Sequence, residues 1–369
     1  MSTLLTDTDT ESRAAWSAIT EPADTVAVAF TAALGHSAAL TELENPKSAI
    51  QSLIEVGAVA DHTEASAAIR RWLPRLQSSA VDHALTDAAR GGIQLIAPSQ
   101  IPGLSDLGAQ APHLIWLRGD ADALTGPISS SVAMVGARAS TSYGDTVAHN
   151  LSEHLVNSGV TIISGAAYGI DGASHRGALS AGGVTVAWLA GGTDRPYPAG
   201  HRDLIEHIVE RGGAVASEMP PGATPTRWRF LGRNRLIAAS SAATIVVEAG
   251  YRSGALTTAT TAATLGRTLG AVPGPVTSAS STGCHHLIRE HGASLITEWG
   301  EARVSRPLLW LLPGQLMEVE FFEPCGDRVV ARGEIGEIGL PSDVVRGDRQ
   351  AAQGVPFRAL LESFFPVVE

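Results

Sequence analysis

The sequence predicts an α/β protein: an extended Rossmann-like, doubly wound and mostly parallel sheet, with a helical domain before it and a small region of uncertain fold after it. Three observations carry the prediction. Short runs rich in Val, Ile, Leu and Ala recur from residue 91 onward. Stretches of about 10–18 residues with helical spacing separate most of them. Upstream of residue 90 the apolar spacing is helical throughout.

Taken in order, residues 1–90 read as a helical domain. ESRAAWSAI, TVAVAFTAAL, SAIQSLIEVG and EASAAIRRWLPRLQSSAVDHALTDAARGG place apolar residues three and four apart, and glycines close several of them. Such a domain serves for packing or partner contact, or for a helix-hairpin-helix-like grip on DNA. Residues 91–300 carry nine strand candidates: GIQLIA (92–97), HLIWLRG (113–119), VAMVGAR (132–138), VTIISG (160–165), VTVAWLAGG (184–192), GAVASE (213–218), ATIVVEAG (243–250), TLGAVPG (268–274) and ASLITE (293–298). Their near-continuous apolar character suits a sheet covered on both faces. Ligand sites in such folds lie at the carboxyl ends of the strands. In residues 301–369 the alternation stops. RPLLWLLPGQLMEVEFF and VPFRALLESFF read as helices around VVARGEIGEIGLP.

Composition narrows the chemistry. With 44% hydrophobic and 17% charged residues in 369, the chain can bury a large core. Two cysteines, Cys284 and Cys325, do not make a disulfide framework and point to a reducing compartment. The N-terminus is acidic and polar, unlike a secretory leader. No apolar run approaches the roughly 20 residues of a membrane span. A soluble, cytoplasmic protein is expected. Lys47 is the only lysine, so a P-loop and a pyridoxal-phosphate Schiff base both lack their essential residue. The net charge of −11 opposes binding to nucleic acid. Local potential decides, however, over a screening length of about 8 Å, so a polyanion partner requires clustered arginines.

Four loops carry candidate chemistry. In GARASTSYG (136–144), glycine allows close approach, Ser140, Thr141 and Ser142 are candidate caps, and Arg138 offers a bidentate cation at a helix start. The loop lacks the second and third glycines of a dinucleotide fingerprint, and a structural turn with Arg138 in an ion pair fits it equally. In SGAAYGID (164–171), Asp171 is a candidate cap for the helix bearing His175. No nucleophile stands at a recognisable spacing from that histidine, which favours a structural role. TPTRWRFLGRNRL (224–236) holds Arg227, Arg229, Arg233 and Arg235 without an acid, interleaved with Trp228 and Phe230. Cations along a backbone and aromatic faces for bases suit a single strand. The competing reading buries the aromatics and pairs the arginines with carboxylates such as Glu218. In VVEAGYRSGALTTA (246–259), Glu248 is a structural carboxylate or a catalytic acid, and Arg252 lies in the turn that opens a helix. The adjacent Cys284, His285 and His286 do not have the spacing of a tetrahedral metal site.

Together VGARASTSYG, SGAAYGIDGASHRGAL, LAGGTDRPYPAGHRDL, SEMPPG, FLGRNRLIAASS, VVEAGYRSGALTTA, GRTLGAVPGP and STGCHHLIREHGA resemble the DprA/Smf family in order and spacing, strongly over residues 92–300. IPGLSDLGAQAPHLIWLRGD extends the resemblance upstream, and the N-terminal helices match the sterile-alpha-motif-like domain of many members. The resemblance implies an extended Rossmann fold without a nucleotide cofactor. It implies sequence-independent binding of single-stranded DNA, usually by a homodimer, and delivery of RecA recombinase onto that DNA, as in natural transformation. By motif, Arg138, Arg227 and Phe230 would line the DNA pocket. Gly136, Ser164 and Gly165 would form its phosphate-facing floor, and Arg233, Asn234 and Arg235 would flank it. His285 stands where members usually carry Asn. Residues 306–369 lack a clear winged helix, so an atypical or degenerate one is expected. The alternative is a Rossmann-like nucleotide-processing enzyme of the phosphoribohydrolase type. That reading lacks its P-G-G-x-G-T-x-x-E loop, having VVEAGYRSG instead.

Overall fold

The computed structural model describes residues 8–76 and 79–298, together with five strands between 310 and 341. The chain divides into two compact units, residues 1–304 and 305–369.

The first unit opens with six helices: α1 (Thr8–Ile19), α2 (Thr25–Leu34), α3 (His36–Glu42), α4 (Pro46–Glu55), α5 (His62–Leu76) and α6 (Ala80–Arg90). The long apolar run expected after residue 62 is two helices. The short α3 is an addition to the expected set, because seven residues give barely two turns of periodicity. Asp24 and Asn45 cap α2 and α4 by accepting backbone N–H bonds. Trp16, Phe30 and Trp72 are wholly buried at the centre, with Trp16 and Trp72 edge-to-face at 5.2 Å. This bundle is continuous with the sheet. Ala14 of α1 and Ala84 and Ala88 of α6 pack on Leu114 and Trp116. The Trp116 indole donates to Ser17 Oγ at 2.9 Å, and Ser17 in turn donates to the Glu218 carbonyl at 2.7 Å.

All nine strand candidates are strands: β1 (Gln94–Ile96), β2 (Ile115–Gly119), β3 (Ser131–Val135), β4 (Thr161–Ser164), β5 (Thr185–Trp188), β6 (Ala214–Ser217), β7 (Ala243–Val246), β8 (Thr268–Ala271) and β9 (Ser294–Leu295). They form one sheet in the order β1-β2-β6-β5-β4-β3-β7-β8-β9. The seven strands from β6 to β9 run parallel, and β2 and β1 are added antiparallel at one end. The helices of this part are α7 (Asp122–Thr125), α8 (Ser142–Asn157), α9 (Ile170–Ser180), α10 (Arg202–Glu210), α11 (Arg227–Ala239), α12 (Ala255–Thr264) and α13 (Thr282–Glu290).

Alternate strand residues feed opposite layers. Val132 and Met134 of β3 pack with Ala148 and Leu151 of α8 and with Ala173 of α9. Ala133 and Val135 of the same strand join the cluster of Leu236 and Ile237 of α11, Ala259 of α12 and Leu287 of α13. Helices therefore cover both faces of the sheet, as a doubly wound fold requires. The chain builds outward from β3 through β4, β5 and β6, then returns to lay β7 on the other side of β3. The direction reverses between β3 and β7, which is the switch point where such sheets open a ligand crevice.

The second unit departs from expectation. The sequence predicts helix over residues 306–322, yet β10 (Trp310–Leu312) pairs with β11 (Gln315–Met317), and β12 (Phe321–Cys325), β13 (Arg328–Gly333) and β14 (Gly336–Pro341) form an antiparallel meander. A short apolar run does not distinguish helix from strand by period alone. The stronger signal is Gly326-Asp327 between two apolar segments, a favoured composition for a two-residue hairpin link. Between 310 and 341 the described residues are all strand, so they supply no helix of a winged-helix domain. VPFRALLESFF lies outside the described residues.

Candidate nucleic-acid interface

A cleft of about 510 Å³ opens at the switch point, walled by Gly136, Arg138, Asp171, Phe230, Arg233 and Arg252 among others. Each wall follows from local sequence. After β3, Gly136 lets the chain pass tightly beside Ile170 and the Glu248 carbonyl, where a Cβ would clash. Ala137 N–H donates to that carbonyl at 2.7 Å. Thr141 then caps α8, its hydroxyl accepting from Gly144 N–H at 3.2 Å. Of the three candidate caps in this loop, it is the one used. Between these anchors Arg138 projects, exposed, into the cleft.

Glu248 is the structural carboxylate that its setting suggested. It is buried, and its two oxygens accept from the Thr141 N–H at 2.8 Å and hydroxyl at 2.7 Å. Asp171 is not the N-cap of α9, a place that falls to Gly169. From the first turn it reaches back and accepts from Gly165 N–H at 3.2 Å and Ala167 N–H at 3.4 Å. Burial pushes its pKa up, against the pull of Arg233 and these amides.

The opposite wall is α11, capped by Thr226. Phe230 turns its half-buried ring toward the cleft, with the Arg138 guanidinium 4.6 Å above it and the Arg233 guanidinium 5.9 Å away. These are cation–π distances. Arg138 thus meets Phe230 and Arg233 of the 227–235 segment in one place. Tyr197, about half exposed in the segment after β5, lies 5.7 Å from Phe230.

The remaining site expectations separate. Arg233 is buried in the floor and donates to the Gly165 and Trp188 carbonyls; its Nε has no protein partner. Burial lowers its pKa to about 10, which leaves it cationic at neutral pH. Gly165 makes this possible, because a Cβ there would overlap the guanidinium. Ser164 is fully buried, and its hydroxyl donates inward to the Met134 carbonyl at 2.6 Å, so its side chain is not part of the cleft surface. Asn234 lines the cleft, but its amide holds the other wall together through Gly254 O at 3.2 Å and Thr257 Oγ1 at 3.0 Å. Arg227, expected to line the pocket, is exposed at the head of α11 and is not among the residues that wall the cleft.

Arg235 is the clear correction. It is buried and forked onto Glu218 at 2.7 and 2.6 Å, so it is neutralised inside the fold and does not flank the cleft. Arg229 is likewise taken by Glu21 at 2.9 Å. Two of the four clustered arginines therefore follow the carboxylate-pairing reading. Trp228 does not enter the core as that reading expected, being 78% exposed. The reason is helical phase: residues 230, 233, 234 and 237 share one face of α11, and 228 is on the other.

Arg252 and Tyr197 belong to the cleft surroundings but are not among the expected contacts. Their signal is positional, since both lie in loops after the carboxyl ends of sheet strands. His175 is fully buried, within 2.8 Å of Thr185 Oγ1, with its pKa lowered to about 3 by desolvation, as befits a structural histidine. Among the described residues no group of three or more His, Cys, Asp or Glu is placed to hold a metal. No described helix is long and apolar enough to cross a membrane.

The sequence and the fold are similar to those of known proteins. The chain is 47% identical over 221 residues to a DNA processing protein DprA of Mycobacterium tuberculosis; the match covers 56% of this chain and 56% of the relative. The fold is similar to the crystal structure of DprA from Streptococcus pneumoniae, with 29% identity and a TM-score of 0.60 over 78% of this chain and 94% of that one. It is also similar to DprA from Helicobacter pylori, solved for its single-stranded DNA binding mode, with 27% identity and a TM-score of 0.52 over 58% of this chain and 95% of that one. The family model described as DNA recombination-mediator protein A matches residues 95–304. With more than half of its length matched by that model, the chain belongs to the DNA recombination-mediator protein A (DprA/Smf) family.

Proposed function

We propose that the switch-point cleft binds single-stranded DNA without regard to sequence, and that the bound strand is the substrate onto which RecA is loaded. One observation carries the reading: Arg138 lies 4.6 Å over the Phe230 ring in an open cleft. This unit presents a cation to a phosphate and an aromatic face to a base, both indifferent to base identity. Arg252 adds a second exposed cation on the facing wall. Arg227 stands at the head of α11, where a strand leaving the cleft would pass. The guanidinium of Arg233 supports the floor from below. Gly136 and Gly165 hold the backbone close at the strand ends. The protein acts as a cytoplasmic homodimer that binds and delivers DNA and catalyses no reaction on it. The carboxylate nearest to a catalytic role, Glu248, is occupied by Thr141.

The test is a titration of labelled oligo-dT and of duplex DNA at two salt concentrations. Wild type should prefer the single strand. Arg138→Ala should weaken binding to any strand and flatten the dependence of log K on log salt by about 0.7–1. Equal affinity of Arg138→Ala and wild type refutes the assignment. RecA delivery is read separately, as faster RecA filament growth on the same strand when the protein is added.

A further inference from the structure

On the second half of α13 and just past its end, two histidines face one another. His286 is half-buried on the helix and His291 is exposed just beyond it. Their Nε2 atoms are 3.2 Å apart and their ring centroids 4.9 Å apart, with the planes at 76°. The exposed Tyr251 ring lies 5.5 Å from His286.

We propose that His286 and His291 form a two-histidine site for a borderline divalent metal ion such as Zn²⁺, Ni²⁺ or Cu²⁺. Imidazole nitrogens bind such ions at about 2.0–2.1 Å. Two nitrogens 3.2 Å apart, each at that distance from one ion, subtend roughly 100° at the ion, between the tetrahedral and square angles. The same arrangement sets the ring centroids about 5 Å apart, close to the 4.9 Å observed. A straight N–H···N bond at this separation would put the centroids roughly 5.5 Å apart. The two distances together describe rings converging on a shared point. An ion at that point would be held by both Nε2 atoms. Solvent reaches the pair through His291, so water can complete the coordination. The other polar groups nearby are committed elsewhere: His285 bonds the Gly274 carbonyl at 2.9 Å, and Glu290 pairs with Arg289 at 3.4 Å. Cys284 is buried, with its thiol turned to the Val246 carbonyl at 3.5 Å.

The experiment is isothermal titration of the full-length chain, free of any histidine tag and stripped with chelator, with ZnCl₂ and then NiCl₂. The expected result is saturable binding that loses one equivalent, or weakens at least tenfold, in His286→Ala and in His291→Ala alike. Circular dichroism of each variant checks that the fold is intact, and His62→Ala serves as a surface-histidine control that leaves the isotherm unchanged. Absence of saturable binding overturns the proposal. So does binding that survives both substitutions.

Discussion

Replacing Arg235 by Ala should strongly destabilise the fold while leaving the DNA affinity of the folded protein nearly unchanged. The guanidinium makes two bonds to Glu218 at 2.7 and 2.6 Å and two more to the Gln110 and Gly232 carbonyls at 2.9 and 2.7 Å. Its side chain is 5% exposed and that of Glu218 is 9% exposed. Removing one partner of such a pair strands a buried charge and costs about 3–5 kcal/mol. That is a large part of the roughly 5–15 kcal/mol that holds a typical domain together. Urea unfolding followed by tryptophan fluorescence would show the midpoint falling accordingly. Arg235→Met combined with Glu218→Gln should recover most of the loss, because no unpaired charge remains. Oligo-dT affinity, measured well below the midpoint, should stay within about twofold of wild type. An Arg235→Ala protein of unchanged stability that binds DNA tenfold less tightly would refute the reasoning. Arg235 would then be a DNA contact, as its sequence neighbourhood suggests.

Other outcomes follow from the same geometry. Phe230→Ala should weaken single-strand binding by about 1–3 kcal/mol, the usual worth of a stacked base, with little change in salt slope; an isotherm identical to wild type would remove the ring from the site. Gly165→Ala should displace the Arg233 guanidinium, costing about 1–3 kcal/mol of stability and also weakening DNA binding; a neutral outcome in both assays would show that the floor tolerates a methyl group. His175 and His113 have pKa values lowered to about 3 by burial. Their unfolded forms protonate first on acidification, so their contribution is full above about pH 6.5 and is lost as pH falls toward 3. Each should cost roughly 2 kcal/mol at pH 5 relative to pH 8. Denaturant midpoints across that range check this, and a flat profile in wild type would contradict it.

The strands are legible in the sequence because a sheet covered on both faces demands continuous apolar runs, and all nine such runs are strands. The loops are legible as places, since glycine and a capping hydroxyl mark where a parallel strand meets its helix. Which arginines face solvent is not legible. Arg227, Arg229, Arg233 and Arg235 look alike in sequence, but their fates depend on Glu21 and Glu218, which come from distant segments. Helical phase separates Trp228 from Phe230 once Thr226 is recognised as the cap that starts α11. The 310–341 strands escape a reading by period because their apolar runs are too short for it to discriminate.

Glu21 has a consequence beyond its own ion pairs. It sits in the turn after α1 and accepts both Arg75, at 2.6 Å, and Arg229, at 2.9 Å, while Pro22 beside it covers Gly232. The amino-terminal bundle thereby acts as a counterion for the helix that carries Phe230. A chain trimmed of that bundle would expose an additional guanidinium near the cleft and free the first turns of the helix from their clamp. Tighter but less salt-tolerant adhesion to any polyanion is the expected price, so the bundle's acidity limits how indiscriminately the protein can stick.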